Sequence, residues 1–417
     1  HGFASALRSK CSLILEANAL DLKEAEKMVK AGELSESAYK RVILNDAKVE
    51  QMAQNCESVA KLDDPVGKVL KASRLDNDLD LHQVSCPIGV VLVIFESRPD
   101  VVVQISALAV KSGNSVILKG GSEARHSNRI LADILRQTSS ESEFMPLNAL
   151  SLIETRDEVS QLVQMSEELD LIIPRGSNEL VQSIQIQAQV PVLGHADGIC
   201  HVYLDADADL KKAREVVLDS KTDYPSVCNA LETLLVDEKI DSQILETILV
   251  NLQQSGVEIR ACSKIIQSLE GHPGLELKPA KEEDWKTEYL ELIVSVKSVK
   301  GLDGAIQHIN HYGSHHTDSI VTENNEKAER FMNEVDSAGT FWNASTRFAD
   351  GFRYGLGAEV GVSTSKTHAR GPVGLEGMVI YKYKLYGNGQ GAGSYNKGEK
   401  TFIHQPLEPS TPSTHAF

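Results

Sequence analysis

The sequence predicts an α/β protein with a doubly wound parallel sheet, and three observations support this fold class. Gly89–Phe95 is an unbroken apolar run of strand length, and a short polar turn separates it from the helical stretch Val101–Lys111. Ser115–Lys119 is a second apolar run, which completes a strand–helix–strand unit whose two strands should be parallel. Helical and strand-like segments then alternate as far as Leu193, as they do in doubly wound domains.

The other elements follow from the same patterns along the chain. Helical spacing over residues 4–62 predicts several helices with a stop at Gly32, and the alternating stretch Lys71–Cys86 predicts a hairpin. Later helices are predicted at 123–137, 157–166, 178–187, 209–219, 240–255 and 302–311, and later strands at 149–154, 169–174, 191–193, 232–237 and 291–299. A second α/β unit begins near Asp197, and we expect the polar tail after Gly387 to be poorly ordered.

Size and composition indicate a globular protein of two or three domains, since the chain has 417 residues and a domain takes about 150. Its 42 basic and 59 acidic residues leave a formal charge of −17, which argues against a nucleic acid partner. No apolar run approaches the ~20 residues that cross a bilayer, so we expect no membrane span. Six cysteines without a C-x-x-C pair predict a reducing compartment, the cytoplasm. The chain starts at His1 without methionine, so we expect missing N-terminal residues, which leaves a mitochondrial targeting segment open.

Three turns after predicted strands offer backbone N–H groups to phosphate. They are Ser97–Asp100, Lys119–Ser122 and Arg175–Ser177, and each joins a strand to a helix. None matches G-x-G-x-x-G or the Walker A pattern, and each taken alone is also compatible with an ordinary tight connection. Because all three fall at the carboxyl ends of parallel strands, together they favour a nucleotide.

Cys228 is the candidate nucleophile among the cysteines. It lies in a polar loop just before a predicted strand, where a thiolate can be exposed and stabilised, whereas Cys200 lies in a strand-like apolar run and is predicted to be core. A packed free cysteine is the alternative at Cys228. Four histidines cluster at the end of one predicted helix, but no carboxylate or cysteine nearby completes a metal site, so we predict cationic histidines there and no metal. They are His308, His311, His315 and His316.

Several long motifs in one order resemble the gamma-glutamyl phosphate reductases, which belong to the aldehyde dehydrogenase superfamily. The reductase half of pyrroline-5-carboxylate synthases is similar as well. The resemblance runs from Leu7 to about Tyr386, and its motifs are FESRP (95–99), SGNSVILKGGSE (112–123), PRGSN (174–178), PVLGHADG (191–198), YPSVCNALETLL (224–235), VKGLDGAIQHINHYGSHHTDSI (299–320) and RFADGFRYGLGAEVG (347–361).

The resemblance implies an aldehyde-dehydrogenase-like fold and a reaction. Residues 1–70 and 87–196 would bind NADPH, 197–365 would form the catalytic domain, and 71–86 with 376–417 would form an oligomerisation hairpin and C-terminal tail. The family reduces L-glutamyl 5-phosphate with NADPH to glutamate 5-semialdehyde, through a thioester on the cysteine that matches Cys228, and releases phosphate. Glutamate 5-kinase acts upstream in proline biosynthesis, and a homo-oligomer is expected.

The resemblance also implies roles for individual residues. Asn229 and Ser97 are candidate oxyanion donors beside Cys228, although the wider superfamily has asparagine where Ser97 stands. His195 falls in a segment that lacks the superfamily's glutamate base, and it would transfer a proton, contact phosphate or be structural. Residues implied for the cofactor are Lys119, Gly121, Ser122, Gly176, Ser177 and Glu288, with Ser122 favouring NADPH and the neighbouring Glu123 weakening that preference. Ser345 and Thr346 match positions that hold the far end of the substrate in related enzymes. Arg98 and Arg347 are the candidate anion ligands, because arginine binds carboxylate or phosphate through two hydrogen bonds, and a surface salt bridge is the alternative for either.

The chain could also be the reductase domain of a bifunctional pyrroline-5-carboxylate synthase, and two other functions remain open at this point. A hydrolytic semialdehyde dehydrogenase is disfavoured by the missing glutamate base. A non-catalytic, reductase-like module of a larger synthase is disfavoured because Cys228, Lys119 and FESRP are all present.

Overall fold

The structure is a computed structural model that describes residues 1–143, 145, 146, 148–194 and 197–409. The helices are α1 (Gly2–Ser9), α2 (Cys11–Lys30), α3 (Glu36–Val42), α4 (Asp46–Lys61), α5 (Asp100–Lys111), α6 (Arg125–Ser140), α7 (Arg156–Leu162), α8 (Asn178–Gln187), α9 (Leu210–Thr222), α10 (Ser242–Gln254), α11 (Ser263–Ser268), α12 (Gly301–Tyr312), α13 (Asn325–Glu334) and α14 (Ala392–Asn396). The strands are β1 (Val69–Asp76), β2 (Leu79–Pro87), β3 (Val90–Phe95), β4 (Ser115–Lys119), β5 (Leu150–Ile153), β6 (Leu171–Arg175), β7 (Cys200–Leu204), β8 (Leu231–Asp237), β9 (Glu258–Ala261), β10 (Leu277–Pro279), β11 (Ile293–Val299), β12 (Thr317–Val321), β13 (Gly339–Trp342), β14 (Gly361–Ser363), β15 (Gly371–Val373), β16 (Val379–Tyr386) and β17 (Gln405–Leu407).

The first parallel sheet has the order β5-β4-β3-β6, which confirms the predicted doubly wound fold. Val192 adds a single parallel bridge beside Ile172 of β6, where a short strand was predicted. The connections run outward in both directions from β3, so the strand order reverses between β3 and β6. The carboxyl ends of these two strands therefore border the crevice in which such sheets bind ligands.

The N-terminal helices α1, α2 and α4 pack against α5 and α6 on one face of this sheet, and α3 packs against α2. Asp21 of α2 accepts hydrogen bonds from the N–H groups of His126 and Ser127 at 2.9 and 2.7 Å, so its carboxylate caps the start of α6. Asn18, also buried, binds the backbone of Val42 and Leu44. These bonds hold the end of α3 against α2, which matters because α3 carries a residue of the candidate site.

The second sheet has seven parallel strands in the order β10-β9-β11-β8-β7-β12-β13. Its central strands β7, β8 and β12 are buried along their whole length, because helices pack on both faces. Cys200 begins β7 and is fully buried, which confirms that it is a core residue.

The third sheet is antiparallel, with the order β16-β2-β1-β17. It contains the predicted hairpin, which turns at Asn77 and Asp78, and β16 pairs along the whole of β2. The expectation of a poorly ordered tail after Gly387 is wrong as far as residue 409. In that stretch α14 forms, and β17 pairs with Ala72–Arg74 of β1, so the chain returns to satisfy backbone groups at that sheet edge.

The domain boundaries inferred from the sequence stay a prediction. Ala358 and Val360 follow the second sheet in the chain, yet they pack in the same hydrophobic cluster as Val91 and Val93 of β3. Within the described ranges, no helix is both long and apolar enough to cross a membrane.

Candidate active site

Cys228 lies at the junction of the two parallel sheets. It precedes β8 and is half-buried at the amino edge of the seven-stranded sheet, whereas Arg175 ends β6 at the carboxyl edge of the other sheet. Arg175 is close enough to Cys228 for the two to interact electrostatically. The side-chain amide of Asn178 donates a hydrogen bond to Asp197 at the same junction. The candidate active site is therefore the cleft between the two sheets.

The backbone of Gly198 packs directly against the backbone of Cys228. A Cβ atom at residue 198 would lie 2.1 Å from the carbonyl oxygen of Cys228 and 2.5 Å from its Cα. The same carbonyl oxygen accepts a hydrogen bond from the Cys200 thiol, with a sulfur–oxygen distance of 3.3 Å. The cysteine loop is thus seated on β7 through contacts that only glycine permits at residue 198.

Asn229 uses its side chain to hold a neighbouring loop. Its Nδ2 donates to the carbonyl oxygens of Ala349 and Arg347 at 3.0 and 3.4 Å, and its Oδ1 accepts from Nη1 of Arg347. Arg347 also pairs with Asp223 at 3.2 Å and is almost fully buried. Both residues therefore lie at the cysteine loop, but these contacts are internal to the protein.

Ser345 and Thr346 attach the same loop to the end of α9. The Ser220 hydroxyl donates to Oγ of Ser345 at 3.1 Å and accepts from the N–H of Thr346 at 3.1 Å. Both residues are buried, and Oγ1 of Thr346 has no hydrogen-bond partner among the residues that the structure describes. The structure places them behind the cysteine loop, and their substrate role stays a prediction.

Ser97 is tied to Glu123 on the opposite side of the cleft. Its backbone N–H and its hydroxyl both donate to Oε1 of Glu123, the hydroxyl at 2.9 Å. Ser97 adopts a left-handed backbone with φ of 52°, so the carboxylate stabilises a conformation that serine rarely takes. A Cβ at Gly121 would lie 2.1 Å from the same carboxylate oxygen, which explains the second glycine of the motif.

Three arginines come together on the first-domain side of the cleft. Burial lowers the pKa of Arg175, and the neighbouring Arg98 lowers it further. Burial also lowers the pKa of Arg41 of α3, which lies near Arg98 and near Tyr224 of the cysteine loop. Arg98 thus disfavours the charge of both neighbours, and an anion bound beside it would relieve that repulsion. At Arg175 the carboxylates of Glu359 and Asp100 oppose the shift, and its Nη1 donates to the Glu359 carbonyl oxygen at 3.4 Å.

Lys119 and Arg156 form a second cationic position at the ends of β4 and β5. The Lys119 side chain makes no ion pair or hydrogen bond with another described residue. Burial lowers its pKa, and Arg156 lowers it further, whereas Glu123 and Glu96 oppose the shift. Ser122 is exposed here, whereas Glu123 is buried and turned toward Ser97. The acidic side chain that weakened the case for NADPH therefore points away from solvent, but it still interacts electrostatically with Lys119.

Gly176 and Ser177 begin α8 beside Glu96. The Glu96 carboxylate accepts from the N–H of Ser177 at 2.9 Å, and a Cβ at Gly176 would lie 2.4 Å from it. The Ser177 hydroxyl caps the helix by accepting from the N–H of Leu180. The predicted pyrophosphate turn is thus present, with a carboxylate of the chain bound to one of its N–H groups.

Three predictions remain, and they concern Glu288, His195 and the histidine cluster. Glu288 lies on the second domain, close enough to the buried pair Lys221 and Glu232 to affect their pKa values. His195 lies outside the described residues, so its role stays a prediction. The expectation of cationic histidines is wrong for His308, because burial lowers its pKa to about 2 and it packs against Lys297.

Sequence reasoning missed four residues of this cleft. Gly198 and Arg175 stand inside motifs that were recognised, but nothing local marked them as neighbours of Cys228. Arg156 begins a helix after a strand, which is the signal that would have found it. Arg41 carries no such signal, since it is one of many charges on an N-terminal helix 187 residues before Cys228.

Comparison with known proteins agrees with this geometry. Residues 6–260 match the model of the aldehyde dehydrogenase family. A gamma-glutamyl phosphate reductase of Pelotomaculum thermopropionicum is 51% identical over 97% of this chain and 91% of its own length, and one from Acetivibrio thermocellus is 50% identical over 98% and 92%. The crystal structure of gamma-glutamyl phosphate reductase from Thermotoga maritima superposes with a TM-score of 0.88, at 42% identity over 93% of this chain and 92% of that one. On this evidence the chain belongs to the gamma-glutamyl phosphate reductase family, within the aldehyde dehydrogenase family.

Proposed function

We propose that this protein reduces L-glutamyl 5-phosphate to L-glutamate 5-semialdehyde with NADPH, releasing inorganic phosphate, as a step of proline biosynthesis. The observation that carries the proposal is a half-buried cysteine, Cys228, facing a cluster of arginines across the cleft. A nucleophilic thiol beside an anion site suits an acyl phosphate, and the names of the closely similar relatives specify which one.

The reaction proceeds in two halves on Cys228. Its sulfur attacks the acyl carbon, the bond from that carbon to the phosphate oxygen breaks, and phosphate leaves with the electron pair. NADPH, when bound, would supply the hydride needed to reduce the resulting thioester. The carbon–sulfur bond then breaks, so the aldehyde leaves and Cys228 returns as thiolate. No water is needed, which fits a segment without the superfamily's glutamate base.

Arg98, Arg175 and Arg41 bind the anionic groups of the substrate. Guanidinium groups pair with phosphate and carboxylate through two parallel hydrogen bonds, and the substrate brings both kinds of anion. The Arg98 side chain makes no ion pair or hydrogen bond with another described residue, so its donors are available to a ligand. Arg347 is engaged by Asp223 and Asn229, and it supports the cysteine loop instead.

Backbone N–H groups are the better oxyanion donors. Neither Cys228 nor Asn229 uses its N–H in a hydrogen bond to another described residue, whereas the Asn229 amide and both donors of Ser97 are already engaged. Donors that are held in place before the reaction stabilise developing charge most effectively. Ser97 and the Asn229 side chain then act by positioning the loops that border the cleft.

The residues at the ends of β4 and β5 fit a nicotinamide dinucleotide with a 2′-phosphate. Lys119 and Arg156 supply two cations, and Ser122 supplies a hydroxyl where a carboxylate would repel that phosphate. Gly121, Gly176 and Ser177 would lie along the pyrophosphate, and the Ser177 N–H would exchange Glu96 for the ligand. Glu288 would hold the nicotinamide ribose from the second domain.

We also propose that a second copy of this chain covers the third sheet. Edge strand β16 exposes Ile380, Tyr381, Tyr383 and Leu385, each at least half exposed, and an apolar edge of this kind is normally paired.

The substrate and the cysteines indicate the setting in which the protein works. The acyl phosphate must come from a kinase that acts on glutamate. The six free cysteines suit the cytoplasm.

The reverse reaction tests the proposal. NADPH formation from glutamate 5-semialdehyde and NADP should require phosphate in the intact protein and should vanish in Cys228→Ala. Cys86→Ser, a half-buried cysteine of β2, is the matched control and should retain activity. NADPH formation without phosphate would instead indicate a hydrolytic dehydrogenase, and no activity in a folded protein that binds NADPH would favour the non-catalytic module.

A further inference from the structure

A fully buried ion pair lies beneath the cysteine loop. Nζ of Lys221 donates to Oε2 of Glu232 at 2.7 Å, and both side chains are 0% exposed. Lys221 stands in the last turn of α9, seven residues before Cys228, and Glu232 stands in β8, four residues after it. The pair therefore joins the two ends of the segment that carries the nucleophile.

The end of α9 is attached on three sides. Ser220 binds Ser345 and Thr346, Lys221 binds Glu232, and Asp223 binds Arg347. Of these bonds, only the one from Lys221 reaches the strand that follows the cysteine loop. This bond sets the distance between α9 and β8, the two elements that the cysteine loop connects.

Glu232 also reaches toward the proposed cofactor site. Its second oxygen accepts from the N–H of Leu290 at 3.2 Å, and the Leu290 carbonyl accepts from the hydroxyl of Ser226 at 3.1 Å. Leu290 has a left-handed φ of 56°, so both of its backbone groups are held in a conformation that leucine rarely adopts. Glu288, two residues earlier, interacts electrostatically with both members of the pair.

We propose that Lys221 and Glu232 are positioning residues that set the cysteine loop and the segment Glu288–Leu290 in register with each other. This inference rests on the proposed function, in which Cys228 carries the acyl group and Glu288 holds the nicotinamide ribose. Lys221 with Glu232 fixes the nucleophile, and Glu232 with Leu290 fixes the ribose ligand. One carboxylate thus links the two groups between which hydride must pass.

A role in stability alone explains the pair poorly. Burial raises the pKa of Glu232 to about 7 against the attraction of Lys221, and burial lowers the pKa of Lys221. The free-energy cost of desolvating the two charges therefore offsets much of their attraction. Apolar residues of similar volume often replace such pairs without loss of stability.

Two double variants separate positioning from stability. Lys221→Met with Glu232→Leu removes both links, whereas Lys221→Met with Glu232→Gln removes the ion pair and keeps an oxygen for Leu290. Both avoid an unpaired buried charge, so we expect each to lose less stability than Lys221→Met or Glu232→Leu alone. A modest fall in the urea midpoint is expected in both, because Glu232→Leu removes the acceptor of the Leu290 N–H and Glu232→Gln adds a buried amide without a partner. Lys327→Met is the control, because it breaks the ion pair with buried Asp205 at the opposite edge of the same sheet.

We expect the apolar variant to raise the KM for NADPH and lower kcat, so that kcat/KM falls by about 10²-fold, the usual effect of displacement by about 1 Å. The amide variant should lower kcat but keep the KM for NADPH near that of the intact protein. Lys327→Met should lose stability without either kinetic change. Intact kinetics in both double variants would overturn the proposal. If the apolar variant does not fold, an unchanged kcat in the amide variant overturns it alone.

NADPH binding, followed by the fluorescence of the bound cofactor, keeps this inference distinct from the proposed function. Suppose that the intact protein shows no phosphate-dependent turnover and that, of the variants, only the apolar one binds NADPH more weakly. That result would refute the proposed reaction and retain the positioning role. Phosphate-dependent turnover with the same NADPH affinity and kcat in all variants would refute the positioning role alone.

Discussion

Substituting Gly198 by alanine tests how the cysteine loop is seated. The added Cβ would lie 2.1 Å from the carbonyl oxygen of Cys228, 2.5 Å from its Cα and 2.6 Å from its carbonyl carbon. Because these are backbone atoms, a change of side-chain rotamer cannot relieve the overlap. An ordinary contact begins near 3.4 Å, and 3.4 minus 2.1 leaves a displacement of 1.3 Å for one of the two segments.

That displacement acts on activity more than on folding. Moving a nucleophile by about 1 Å lowers the rate about 10²-fold, which corresponds to about 2.7 kcal/mol in the activation barrier. Overpacking at such a contact costs about 1–3 kcal/mol of stability, which a large protein tolerates. We therefore expect Gly198→Ala to fold and to lose most of its kcat.

The assay compares kcat of the phosphate-dependent reaction with the urea midpoint. Gly304→Ala in α12 is the control, because its Cβ would meet Val299 at 3.4 Å and alanine is favoured within a helix. The control should keep full activity. A fully active Gly198→Ala protein would refute the argument, because it would show that the Cys228 backbone can move without consequence.

Three further predictions concern the first domain and the histidine cluster. Glu123→Leu leaves the N–H and hydroxyl of Ser97 without an acceptor and should cost about 1–3 kcal/mol in urea unfolding; an unchanged midpoint would contradict the contact. Arg156→Ala should raise the KM for NADPH about tenfold, the effect of one lost charge-assisted contact, and leave the KM for NADH unchanged; equal changes would exclude a 2′-phosphate contact. His308 has a pKa of about 2 in the folded protein against 6.5 when unfolded, so the stability it contributes is complete above pH 6.5 and is lost as the pH falls. His308→Gln should therefore reduce the decline of unfolding free energy below pH 6.5 by up to about 1.4 kcal/mol per pH unit, and parallel curves would contradict this.

The local sequence pattern predicted the structure correctly where residues close together in the chain determine it. Gly89–Phe95 is apolar throughout because helices cover both faces of its strand, and the observed β3 lies inside that range. Cys200 and Cys228 were distinguished correctly as strand core and polar loop, since the polarity of adjacent residues reports the environment. The tail after Gly387 was predicted wrongly, because β17 pairs with β1 more than 300 residues earlier in the chain.

By itself, the sequence determined the doubly wound fold, the family and the segments that border the cleft. Those properties follow from the periodicity of hydrophobic residues, the turn residues and the order of the motifs, all of which can be read along the chain. Only the tertiary structure decided which side chains face the cleft. Glu123 turned inward to Ser97, Arg347 was engaged by Asn229, and Arg41 joined Arg98 from a distant helix. Such choices depend on which polar groups become buried together, because a buried donor or charge takes the nearest partner in space, wherever that partner lies in the chain.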